Sequence, residues 1–486
     1  MSVTEKLKPE KVFYYFGEIC SIPHGSGNID RLSDYLVEFA KDRNLYCIQD
    51  KMKNVIIRKE ASAGYEKEPA IILQGHMDMV AVKKPDADID MQKDALRLKV
   101  DGDYLYAEGT SLGGDDGIAV AYALAILDSE EIPHPGLEVI ITVDEEVGMD
   151  GARELDASML RAKRMLNLDS EEEGILYAGC AGGARVDWSL PVTWETRKGC
   201  VYRIGVKGLL GGHSGSEIDK ERGNANCLMG RLLAALSSKA ELLAAALQGG
   251  LADNAIPREA EAVVVIAGGA EEACDPVLFD TLHRVEAEIK QELQTKDPGF
   301  YLSAEKLGEN TVPCLCREDT QKLIALLFAA PDGVQAMSAD ISGLVETSLN
   351  MGIVRLEKDG FHVQFSVRSS LESAKITLTE KLACIAGMAG ARQKVRGDYP
   401  GWAFQKESPF RDMAAAVYQK MYGKKPQIAA IHAGMECGLL TAKLPELECI
   451  AIGPDMKDIH TTEERLSISS TERVWNYILE ILKQKA

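Results

Sequence analysis

Residues 70–78 read Ala70-Ile71-Ile72-Leu73-Gln74-Gly75-His76-Met77-Asp78. A short apolar run, rich in β-branched side chains, ends in a glycine and then in two chemistry-bearing side chains one residue apart. The apolar part does not alternate with polar residues. It therefore reads as a strand covered on both faces, as in a parallel sheet packed between helices. Open sheets of that class place their sites just beyond the carboxyl ends of their strands, and His76 and Asp78 fall there.

The same pattern extends on both sides. Residues 9–44 read as helices around the turn Ser21-Ile22-Pro23-His24-Gly25, and 54–58 as a short strand. Residues 118–127 follow a glycine-rich turn and are small and apolar throughout, so they read as a buried helix. Residues 137–143 and 165–168 are further apolar strands. Near 186 the character changes to period-two alternation in 185–190 and 201–206, as in half-exposed antiparallel strands. A long amphipathic helix is expected over 226–247, with strands at 262–266, 347–355 and 361–367. After Gly397-Asp398-Tyr399-Pro400-Gly401 the first pattern resumes: a helix at 409–422, a strand at 448–452 and a closing helix at 470–483. The expected fold is an α/β catalytic domain with a mostly parallel sheet, formed by 1–185 and 402–486. An α+β domain is inserted at 186–401, roughly twice a minimal unit and so long enough for two lobes.

Five pieces carry the chemistry: Gly75-His76-Met77-Asp78, Gly113-Gly114-Asp115-Asp116-Gly117, Asp144-Glu145-Glu146-Val147-Gly148, Asn167-Leu168-Asp169-Ser170 and Asp458-Ile459-His460. Alone, each has a plain structural reading: a helix cap, a turn or a solvated charge run. Together, at strand ends of one domain, they supply two imidazoles and three carboxylates. Zn²⁺ takes such ligands, and two ions about 3.5–4 Å apart can share one carboxylate and act on one carbonyl. In this reading His76 and Asp169 bind one ion, Glu146 and His460 bind the other, and Asp115 bridges. Asp78 holds the second ring nitrogen of His76. Glu145, next to a ligand, is the general base. Carboxylate-rich sites also accept Mn²⁺ or Co²⁺ in place of Zn²⁺.

Composition narrows the partners. The chain has 486 residues and a formal charge of −20, which disfavours nucleic acid and anionic membranes. No stretch reaches the roughly 18 apolar residues of a membrane helix, and residues 1–8 hold no apolar core of a signal peptide. The eleven cysteines show no zinc-finger spacing and read as reduced thiols in a cytoplasmic protein.

The chain resembles the cytosolic di-zinc dipeptidase and aminoacylase metallopeptidases, end to end. The resemblance rests on residues 73–80, 109–117, 142–149 and 167–170, and on Gly211-Gly212-His213-Ser214-Gly215, Arg222-Gly223-Asn224-Ala225-Asn226, Val367-Arg368-Ser369-Ser370 and His432-Ala433-Gly434-Met435-Glu436-Cys437-Gly438. Its nearest likeness is to the branch that cleaves Xaa-His dipeptides. The resemblance implies that the insert is a mobile lid and that His213 stabilises the oxyanion. It also sets Arg368 and Asn224 near the substrate carboxylate, with His432 and Glu436 near the metals or substrate. It implies a cis bond at Asp115-Asp116; the second position often carries Asn, so Asp116 is a departure that adds a negative charge. The expected activity is hydrolysis of dipeptides with a free N-terminus. An aminoacylase or tripeptide aminopeptidase on the same scaffold is the alternative, and a non-catalytic metal- or peptide-binding homologue a weaker one. The expected partner is a small peptide, with a homodimer through the lid left open.

Overall fold

The run around Leu73 forms the strand Ile71–His76, buried at every position. It pairs in parallel with Leu137–Thr142 on one side and with Arg164–Asn167 on the other. Arg164–Asn167 pairs in parallel with Glu448–Ala451. These four strands are the centre of an eight-stranded sheet. Outside them the pairing turns antiparallel: Val55–Lys59 adds to Leu137–Thr142, Tyr46–Gln49 to Val55–Lys59, and Ile175–Cys180 to Glu448–Ala451. The parallel character is thus confined to the strands whose ends carry the site.

The computed structural model describes residues 3–268 and 271–485. It divides into one unit of Met1–Gly179, Phe404–Ala430 and Met435–Ala486, and a second of Cys180–Ala403 and Ile431–Gly434. In the first unit the helix Gly114–Asp128 is apolar on all sides, and Ile118 to Leu127 are buried. It packs with the helix Glu10–Cys20, which contributes Phe13, Phe16 and Ile19 to the same core. A side chain at Gly75 would strike Asp116 and come within 2.6 Å of Ala119 Cβ, so glycine lets the helix begin against the end of the strand. Gly113, at φ 69° in the left-handed region, turns the chain into that helix. Asp115 and Asp116 keep non-helical backbone angles inside it, and the bond between them is cis.

The second unit is built on one nine-stranded sheet. Its pairings are antiparallel, among them Trp194–Lys207 with Tyr301–Leu315 and with Ala260–Ala267, and Gly360–Ser369 with Val345–Glu357 and with Gly182–Leu190. The helices Ala225–Ser237, Arg317–Ala329 and Glu372–Met388 add to the main apolar core. The two halves of the sheet join where Gln248 and Gly249 pair with Arg355 and Val354.

The helix expected over 226–247 stops at Ser237, and Leu242–Gly249 is a strand. The Leu- and Ala-rich stretch has high helix propensity. Its partner decides otherwise, because Leu242 to Gly249 align with Ile266 to Ala260 in an antiparallel ladder. Sheet pairing and burial outweigh a local preference worth a few tenths of a kcal/mol per residue, of order ~0.5. No helix among the described residues is long and apolar enough to cross a membrane.

Candidate active site

Three of the four central strands of the first unit deliver a side chain at the carboxyl end. His76 closes Ile71–His76, Glu145 and Glu146 follow Leu137–Thr142, and Asp169 follows Arg164–Asn167. The helix Gly114–Asp128 brings Asp115. His76 Nε2 lies 3.1 Å from Asp115 Oδ1 and 3.8 Å from Asp169 Oδ1. His460 Nε2 lies 3.1 Å from Asp115 Oδ2 and 2.9 Å from Glu146 Oε1. Asp115 therefore turns one oxygen to each imidazole. Three donor groups with ligand atoms within 4.8 Å arise here: His76 with Asp116 and Asp169, His76 with Glu145 and Glu146, and Asp115 with Glu146 and His460.

Asp78 is fully buried. Its carboxylate accepts from Ser26 Oγ at 2.7 Å and from the Glu145 and Glu146 N–H groups at 3.1 and 3.4 Å. The nearer partner of His76 Nδ1 is the Asp78 main-chain oxygen at 3.0 Å, with the carboxylate at 3.5 Å. The residue thus orients His76 chiefly through its backbone and spends its charge on the loop that carries Glu145 and Glu146.

Charge crowding is severe. Burial and the neighbouring Asp169, Glu436 and Glu146 carboxylates push Glu145 well above the usual carboxylate range. Asp169 is raised by burial and by Asp115, Glu436 and Glu146. His460 is raised to about 10 by its bonds to Asp115 and Glu146. His76 is lowered by burial but raised further by Asp115, Asp78 and Asp169. Protons on imidazoles and carboxyls are how such a cluster gathers positive charge; divalent cations do the same with these N and O donors. The set fits a pair of metal ions. Asp116 accepts from the His76 N–H at 3.1 Å, and burial together with Asp169 and Asp115 raises its carboxyl well above the usual range.

In the second unit Gly215 is the meeting point of three side-chain-bearing residues: a Cβ there would lie 2.8 Å from His432 O, 2.9 Å from His213 Cε1 and 3.2 Å from Arg368 Nε. His213 Nδ1 accepts from the Ser216 and Gly215 N–H groups at 3.1 and 3.3 Å. That assigns the proton to Nε2. Burial and Arg368 lower the His213 pKa, keeping the ring neutral. Arg368 reaches Tyr399 Oη at 3.4 Å, and its Nε is buried without a hydrogen-bond partner among the described residues. His432 Nε2 lies 2.7 Å from Ser348 Oγ. Asn224 differs from these. Its Oδ1 caps the helix Ala225–Ser237 by accepting from Asn226 and Cys227 N–H. Its Nδ2 faces Asp332 Oδ1 at 3.0 Å, Asn350 Oδ1 at 3.2 Å and Met351 O at 3.2 Å. Its amide is committed to the insert's own architecture.

The family model described as peptidase family M20/M25/M40 matches residues 72–484. The chain belongs to peptidase family M20/M25/M40. This M20 peptidase is 37% identical over 491 residues to the cytosol non-specific dipeptidase of Escherichia coli (strain K12), covering 100% of this chain and 99% of the relative. Its structure is similar to that of aminoacylhistidine dipeptidase from Vibrio alginolyticus, with TM-score 0.93, 35% identity, and coverage of 100% and 98% of the two chains. A tripeptidase from Staphylococcus aureus shares the fold at TM-score 0.55 and 17% identity, over 98% of both chains.

Sequence reasoning missed the floor of the M20 site. Asn167 Nδ2 donates to Gln74 Oε1 at 2.6 Å, Gln74 Nε2 donates to Glu436 Oε2 at 2.5 Å, and Thr142 Oγ1 donates to the same oxygen at 2.6 Å. The row crosses three neighbouring strands, with Gln74 opposite Asn167 in the register. A polar residue interrupting an otherwise apolar buried strand is the signal that marks Gln74. Glu436 is completely buried, and burial raises its carboxyl to about 7. Glu464 was also missed, because it reads as part of the charge run Glu463-Glu464.

Two outcomes are expected in the insert. Asn224→Ala lowers thermal stability by about 0.5–2 kcal/mol through the lost cap and leaves KM for a dipeptide unchanged, as read by melting and steady-state kinetics. His432 is held down at about 3 by burial and by Arg368. The unfolded chain therefore binds a proton that the folded one refuses, and stability falls as pH drops below the ordinary His value, by about 1.4 kcal/mol per pH unit. Denaturant melts between pH 7 and 5 check this, and His432→Gln removes that part of the acid sensitivity.

Proposed function

We propose that this M20 peptidase is a di-zinc dipeptidase acting on dipeptides with a free N-terminus, Xaa-His among them. The observation that carries the reading is Asp115, with its two oxygens turned to His76 and His460. His76 and Asp169 hold one ion, Glu146 and His460 the other, and Asp115 is shared; Mn²⁺ or Co²⁺ can substitute in such a donor set. Bound there, the ions supply Lewis acidity that activates water and polarises the scissile carbonyl.

The chain's own groups do the rest. Glu145 takes a proton from the attacking water and returns it to the leaving amine, a role suited to a carboxyl that burial and its acidic neighbours hold above the usual carboxylate range. Asp78 holds the Glu145 main chain in place. His213 is a neutral ring whose Nε2–H is left to donate to the developing oxyanion. Arg368, with a buried unpartnered Nε, takes the substrate carboxylate. Glu436 and His432 shape their respective pockets, and Asn224 acts by bracing the insert. Full-length likeness to two dipeptidases supports the dipeptide class over the aminoacylase and tripeptidase readings. Eleven free thiols and the name of the E. coli relative support a cytosolic location. The edge strand Tyr301–Leu315, a template for strand addition, supports a homodimer through the insert, which sedimentation at micromolar concentration checks.

The test is a panel of unblocked dipeptides, tripeptides and N-acyl amino acids with zinc-loaded protein, beside Glu145→Gln. Wild type is expected to cleave dipeptides, and Glu145→Gln to keep both ions while losing about 10²–10⁴-fold in kcat. Turnover of N-acyl amino acids or tripeptides alone would move the substrate class; retained activity in the variant would remove Glu145 from its role.

A further inference from the structure

The segment that delivers His460 delivers Glu464 four residues later. Glu464 is 3% exposed, and its carboxylate points into the turn before Asp115. Oε2 accepts from the N–H of Leu112 at 2.7 Å and of Gly113 at 3.1 Å, and Oε1 from the N–H of Gly114 at 2.8 Å. Three consecutive main-chain donors converging on one carboxylate make an anion nest, filled here by a side chain about 350 residues away in sequence, as the 350-residue separation of Gly114 and Glu464 shows. Within the turn Gly113 is left-handed, and a Cβ at Gly114 would lie 3.1 Å from Met456 Sδ and 3.3 Å from Glu464 Oε1.

The other end of the clamp is equally constrained. Asp458 and His460 have φ of 51° and 61°, in the left-handed region that few non-glycine residues adopt, Asp and His more readily than most. Thr461 Oγ1 donates to Asp458 O at 2.7 Å, and the Glu463 N–H donates to Thr461 Oγ1 at 3.1 Å, closing 458–464 on itself. The position of Glu464 and that of His460 are therefore linked. One end of this turn meets Asp115 through an imidazole, and the other grips the backbone that aims Asp115.

We infer that Glu464 is a positioning residue that sets the shared carboxylate of Asp115 against His460, and thereby the affinity of both metal ions. The inference rests on the di-metal reading of the site. A carboxylate that merely stabilised the fold would change melting and leave the two metal affinities alone.

Glu464→Gln keeps the shape, removes the charge and turns one acceptor into a donor facing an N–H. Zinc binding is followed by competition with a chromogenic chelator, folding by far-UV circular dichroism, and hydrolysis of an Xaa-His dipeptide at saturating zinc. The folded variant is expected to bind both ions about 10–100-fold more weakly, with kcat lowered by a similar factor and KM little changed. Glu464→Asp, which keeps the charge on a shorter arm, is expected to show the same two-ion weakening at smaller amplitude. Wild-type affinities in folded Glu464→Gln overturn the inference, and in folded Glu464→Asp they do so should the Gln variant not fold. Wild type that itself binds fewer than two ions overturns the di-metal reading and this inference with it; two ions in wild type with an unaffected variant overturn the inference alone.

Discussion

The structure turns on one constraint: acidic side chains must stand within a few ångströms of one another at the ends of parallel strands. In this buried site Glu145 feels the charges of Asp169, Glu436 and Glu146, and Asp169 those of Asp115, Glu436 and Glu146. Such a cluster is tolerable only where opposite charge enters it. Much of the first unit answers to that need. The imidazoles of His76 and His460 flank Asp115, the Asp78 carboxylate takes up main-chain N–H groups, and Glu436 is tied to Gln74 and Thr142.

This constraint explains why the site is assembled from distant segments. Acids placed so close repel one another, so something outside them must hold their positions. Separate strand ends can do so, because the sheet ladder and the apolar core hold each strand independently of the charge it carries. The apolar helix Gly114–Asp128 and the glycine at 75 allow Asp116 to sit against the strand end that carries His76. The final segment then closes the site with two groups at once, an imidazole on Asp115 and a carboxylate on the backbone before it.

The insert follows a different logic. Its polar cluster is cationic and neutral, with Arg368 among His213 and His432, gathered around a glycine that leaves room for all three. The pKa values of both imidazoles are driven down by burial and by the guanidinium. A site of that kind attracts an anion where the first unit attracts cations. His432 lies beyond the inserted stretch in sequence, yet residues 431–434 pack with the insert, so the chain crosses back to complete the cluster.

Much was legible beforehand. The continuous apolar runs announced a parallel sheet, and three of the five pieces, those of His76, Glu145-Glu146 and Asp169, stand at the ends of its strands, because strand direction and side-chain period are local properties. Asp115 comes instead from the start of a helix and His460 from a turn after the short antiparallel strand Met456–Lys457. Some matters were not legible. The stretch 242–249 looks helical because propensity is local, whereas its strand state comes from a ladder with 260–267. Asn224 looked like a ligand to the substrate, but its partners Asp332, Asn350 and Met351 lie far along the chain. Glu464 could not be told from its neighbour Glu463, since only a folded chain shows which carboxylate finds three main-chain N–H groups. The sequence by itself determined the class of fold and the candidate donor residues, because these follow from pattern and residue type. Only the tertiary structure decided which acid faces both imidazoles and which grips a turn, because those properties depend on distance and burial among residues hundreds of positions apart.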